Sequence, residues 1–76
     1  MTIHDQIATI CMRFPSRKWR ARDLVSAVVA EFGSNRDSVV LSDHAYGDTS
    51  RNTYCRCVLD GTPLLRRIAH GEYTLN

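Results

Sequence analysis

Leu64-Leu65-Arg66-Arg67-Ile68-Ala69-His70-Gly71-Glu72-Tyr73-Thr74-Leu75 alternates with a period of two on both sides of a glycine. Leu64 and Ile68 share one face of the first half and Leu65 and Ala69 the other, while Tyr73 and Leu75 alternate with Glu72 and Thr74 in the second half. That period belongs to β-strands. Glycine at the junction suits a tight turn, so the stretch predicts a hairpin turning at His70-Gly71. The run before it has a different period. From Ser50 to Asp60, Tyr54 pairs with Val58 and Cys55 with Leu59 at i,i+4 spacing, which leaves Arg51, Asn52 and Arg56 mostly on the opposite side. Gly61 and Pro63 end this predicted helix. A helix that feeds a hairpin makes the class α+β.

Upstream, Ala21 to Phe32 places Leu24, Val28 and Phe32 on one stripe with Val25 and Val29 beside it, a largely buried helix closed by Gly33. Ile3, Ile7, Ile10, Cys11 and Phe14 recur at the same period, which predicts a first helix from Ile3 to Arg13. Thr2 suits its N-cap and Asp5 its positive first turn. Pro15-Ser16 stops it. Lys18-Trp19-Arg20 then reads as a short extended piece. Ser34 to Thr49 contains an apolar cluster, Val39-Val40-Leu41, followed by turn formers, and predicts a short helical turn and a structured loop.

The chain has 76 residues, 43% of them hydrophobic and 24% charged. Those values describe a single globular domain, residues 1–76, with a thin core, because a chain of this size buries only about 60% of the surface its unfolded form exposes. No run approaches the roughly 20 apolar residues of a membrane span, so no membrane partner is expected. Three cysteines (Cys11, Cys55 and Cys57) without a disulfide-framework spacing suggest a reducing, cytoplasmic setting. The net charge of +2 is mild, yet Arg13, Arg17, Lys18, Arg20 and Arg22 crowd into ten residues. A local positive patch is the expectation.

The order helix, glycine, Leu-Leu-Arg strand and Gly-x-Tyr-x-Leu ending, from Arg51 to Leu75, resembles the closing half of winged helix-turn-helix domains. The resemblance covers about a third of the chain. It implies three main helices, a two-stranded C-terminal wing and a short third strand near Trp19 that pairs with the hairpin. Val39-Val40-Leu41-Ser42-Asp43-His44-Ala45-Tyr46-Gly47 is similar to the Pro-Ser-Asp-Tyr-Cys-Tyr-Asn motif of a small domain that accompanies restriction and HNH-type endonucleases. Ser42, Asp43 and Tyr46 match; Leu41, Ala45 and Gly47 stand where that family has proline, cysteine and asparagine, so roles of those three do not carry over. This second likeness implies a restriction or host–phage setting.

A winged helix sends its recognition helix into the major groove of DNA while the wing meets backbone or minor groove. The resemblance therefore implies base contacts by Arg51, Asn52 and Arg56 and phosphate contacts by Arg66 and Arg67. Alternation along a strand lets at most one of Arg66 and Arg67 face a given surface. Arg17, Lys18 and Arg20 form either a second phosphate contact or a solvated loop around Trp19, and all these charges have the plain alternative of a solvated surface. Trp19, Tyr54 and Tyr73 are expected in the core.

Cys55-x-Cys57 with His44, His70 and Cys11 raises the question of zinc, but residues two apart on a helix point about 200° from one another and no Cys-x-x-Cys is present. The sequence reading is no metal and no cofactor, with the cysteines as small buried apolar groups. No nucleophile motif or phosphate loop is present, and an enzyme is not expected. The expected function is a small DNA-binding regulator, or a restriction- or phage-associated module, a homodimer on double-stranded DNA. The rival is a phage-encoded, anti-CRISPR-like protein that uses the same fold to bind a host nuclease or CRISPR defence complex.

Overall fold

The computed structural model describes residues 1–46, 56–59 and 61–76. Helix α1 spans Ile3–Arg13 and opens on a capping box: the Asp5 amide donates to Thr2 Oγ1 at 3.2 Å and the Thr2 amide donates back to the Asp5 carboxylate. Both bonds satisfy amides that have no partner inside the helix. Strand β1, Lys18–Arg20, leads directly into helix α2, Ala21–Phe32. Gly33 ends α2 in the left-handed conformation, φ 68°, and its amide donates to the Val29 carbonyl.

Two 3₁₀ turns follow, Arg36–Ser38 and Leu41–His44, and then a two-residue strand β2, Ala45–Tyr46. Helix α3 comprises Arg56–Leu59. The hairpin consists of β3, Leu65–Ala69, and β4, Glu72–Leu75, with Gly71 at φ 71° in its turn. Among the described residues the sheet order is β1-β4-β3-β2. β1 and β3 flank β4 antiparallel, while β2 runs parallel to β3. Among the described residues no helix is long and apolar enough to cross a membrane.

One face of the sheet packs on α1 and α2. Trp19 and Tyr73 are cross-strand neighbours, as are Ala45 and Leu65, and all four are buried with Ile7, Ile10, Cys11, Leu24, Val28, Val39 and Leu41. The fold is thus α+β, with the hairpin in the interior of the sheet instead of standing apart as a two-stranded wing. The extended piece at Trp19 does pair with the hairpin. Of the helix predicted from Ser50 to Asp60, Arg56–Leu59 forms a helical turn. Arg51, Asn52, Tyr54 and Cys55 lie outside the described residues.

One local expectation changes, and two further positions depend on tertiary contact. Phe14, placed by periodicity on the α1 stripe, caps the helix end at 52% exposure and meets Trp19 edge-on, ring centroids 6.3 Å apart. Thr74, on the face alternate to Tyr73, is buried as well, and its hydroxyl donates to the Arg17 carbonyl at 3.1 Å. Ile68 falls at a register shift between Arg67 and Ala69 and is exposed. The short helical turn and structured loop expected between Ser34 and Thr49 correspond, up to Tyr46, to the two 3₁₀ turns and β2.

Candidate functional site

Sheet register determines which basic side chains share a surface. Lys18 faces Thr74 across β1 and β4, and Thr74 faces Arg66 across β4 and β3, so Lys18 and Arg66 stand on one row of the outward face. Two strand spacings separate them by about 10 Å. Arg67 has the opposite parity: it pairs with Tyr73, whose ring is buried, but at the hairpin end it emerges into solvent and its guanidinium lies 3.0 Å from His70 Nδ1. The two arginines therefore belong to different surfaces, as strand alternation demands.

Arg20 ends β1 opposite Glu72, an acid that tempers that end of the row. Beyond it, Arg20, Arg22, His70, Gly71 and Glu72 surround a shallow depression of about 410 Å³ between the start of α2 and the hairpin turn. The α2 N-terminus has no side-chain cap; the Ala21 amide donates to the Gly71 carbonyl at 2.8 Å instead. That bond joins the basic end of the hairpin to the helix.

Arg17 has a different place from the one its neighbours suggest. Its guanidinium carbon sits 3.8 Å from the centroid of the Trp19 ring, in cation–π geometry, with Phe14 6.0 Å away. Trp19 itself is a core residue, 4% exposed, with its indole Nε1 buried and without a hydrogen-bond partner among the described residues. Arg13 is paired with Glu31 across α1 and α2, so part of the basic run is neutralised by tertiary contact. The hydrogen bonds from Arg13 hold the Glu31 carboxyl below its usual range, and Glu31 raises Arg13. Arg56 opens α3, and its side chain lies outside the described set.

The sulfur and imidazole groups separate into unrelated places. Cys11 is sealed in the core, and burial pushes its thiol up to about 11. His70 is at the hairpin turn beside Arg67. His44 and Cys57, in contrast, approach each other at 4.0 Å between Nδ1 and Sγ, and His4 from α1 joins them. The sequence reading missed His4. The signal was its position three residues before Ile7 and seven before Cys11, on the buried side of α1.

No protein-family model, curated protein or solved structure matches this chain.

Proposed function

We propose that this chain is a winged-helix-type module that binds double-stranded DNA through the outward face of its sheet and the end of its hairpin. The observation that carries the reading is the shared row of Lys18 and Arg66, continued by Arg20 toward the hairpin turn. Cations held on a sheet are presented at a fixed spacing to a polyanion, and phosphate contacts of this kind supply sequence-independent affinity. The order α1, β1, α2, α3, β3, β4, with β1 paired to β4, supports the winged-helix reading, and β2 is an addition to it. Arg67 supplies a further contact from the hairpin end. Base reading falls to Arg51, Asn52 and Arg56.

Fluorescence anisotropy on random-sequence duplex DNA across a salt series tests this. Each phosphate contact contributes a slope of about −0.9 to the log–log salt dependence, so Lys18→Ala with Arg66→Ala should flatten it by about 2. Substituting Arg51 and Arg56 should instead alter sequence preference. Absence of binding at low salt overturns the reading.

One observation favours a second reading, a protein-binding inhibitor of a host nuclease or CRISPR complex. Met12 is 63% exposed and, with Pro63, Leu64 and Leu75, lines an apolar groove of about 480 Å³. Retained partner binding by the Lys18/Arg66 variant, together with no affinity for DNA, is the outcome that reading requires.

A further inference from the structure

The geometry points to a transition-metal site, best suited to zinc(II), formed by His4, His44 and Cys57. One ligand atom from each of these residues lies within 4.8 Å of the others. The two imidazole rings are 5.5 Å apart between centroids and tilted by 54°, so they are not stacked face to face. In a tetrahedral zinc site with bonds of about 2.0–2.3 Å, ligand atoms sit roughly 3.3–3.6 Å apart. The 4.0 Å between Cys57 Sγ and His44 Nδ1 is already close to that separation. The widest separation, up to 4.8 Å, would have to close by roughly 1.2–1.5 Å on binding.

The donor set selects the metal class. Two imidazoles and a thiolate are borderline to soft ligands that suit zinc and are poor partners for calcium or magnesium, which take oxygen. Among the described residues the site offers three protein ligands, and zinc takes a fourth. The three residues come from separate parts of the chain: the first turn of α1, the second 3₁₀ turn and α3. A four-residue helix has little stability of its own. A bound metal would fasten α3 to α1 and to the turn, and a domain with so thin a core gains from such a staple. Cys57 neighbours Arg56 in α3 and His44 precedes β2, but metal binding is read without DNA and the salt slope without metal, so the failure of this site and that of the DNA reading are separable.

The test uses the full chain purified without metal and titrated with zinc(II), and with cobalt(II) as a spectroscopic probe. Expected are one metal per chain, a rise in Tm of about 10–20 °C at a hundredfold excess over Kd, and a near-ultraviolet thiolate-to-cobalt band. Cys57→Ser should abolish the band and weaken zinc binding by roughly 100-fold or more, and His4→Gln and His44→Gln should each weaken it by at least about 10-fold, since loss of even an outer-shell partner of a metal ligand costs roughly 10–100-fold. Cys11→Ala, remote in the core, should keep the band. No stoichiometric binding overturns the inference, as does a cobalt complex without the thiolate band. A band that survives Cys57→Ser and vanishes in Cys55→Ser also overturns it. Should Cys57→Ser fail to fold, His4→Gln, on the partly exposed first turn of α1, carries the test, and undiminished zinc affinity there overturns it.

Discussion

Trp19 combines a large apolar contribution with a local cost. Its ring fills the junction of β1 with the helices, yet the indole N–H is buried without an acceptor among the described residues, an arrangement that costs about 1–3 kcal/mol in a typical interior. Trp19→Phe removes that donor along with part of the ring, whereas Trp19→Ala leaves a cavity. Urea unfolding should show a loss of about 3–5 kcal/mol for alanine and a clearly smaller one for phenylalanine. Cys11 offers a second measurement. Its folded-state value lies above the ordinary 9.0, at about 11, because burial disfavours the thiolate. The neutral thiol therefore contributes stability that is fully present below pH 9 and lost as pH rises toward 11, on the order of 2–3 kcal/mol. Comparing the pH dependence of unfolding in the native chain and in Cys11→Ala isolates this contribution; equal profiles between pH 9 and 11 would refute it. In the folded protein Cys11 should also resist alkylation until the chain unfolds.

At the scale of elements, α1 and α2 meet through their apolar stripes and through the Arg13–Glu31 pair at the surface. Because the Glu31 carboxyl is held below its usual range, its contribution is present above the ordinary carboxylate range and disappears as pH falls through the lowered value. Glu31→Gln should remove that part of the acid dependence seen by thermal melts, with little change at neutral pH, where exposed pairs contribute weakly. The turns make a second prediction. Gly33 and Gly71 have positive φ and open space where a Cβ would go. Alanine at either position should cost about 1–2 kcal/mol through backbone strain alone. These elements were legible because each has a local cause: a Thr2/Asp5 cap, a glycine stop, a period of two. Phe14 was misjudged because periodicity does not register an edge-on ring at a helix end, and the burial of Thr74 was not legible because its hydroxyl bonds a carbonyl 57 residues away.

At the scale of the whole molecule, the candidate surfaces arise from register and from long-range approach. Alternation alone separated Arg66 from Arg67, but the row shared by Lys18 and Arg66 needed the pairing of β1 with β4 and of β4 with β3. The His4, His44 and Cys57 group was only partly legible for a like reason: His44 and Cys57 were weighed for zinc and set aside on spacing, and His4 was missed. Its members are 40 and 13 positions apart, and no short motif connects them. The chain thus carries an outward basic row and a half-buried cluster that joins α1, the second 3₁₀ turn and α3. The bond from the Ala21 amide to the Gly71 carbonyl has a consequence for how the molecule reports an event at its hairpin. An amide in the first helical turn ordinarily exchanges its hydrogen quickly with solvent, but this one is held by a turn 50 positions further along. Ala21 should therefore act as a built-in gauge. Its deuterium uptake should be slow at rest, speed up when Gly71→Ala distorts the turn, and slow further when a ligand clamps the hairpin against α2.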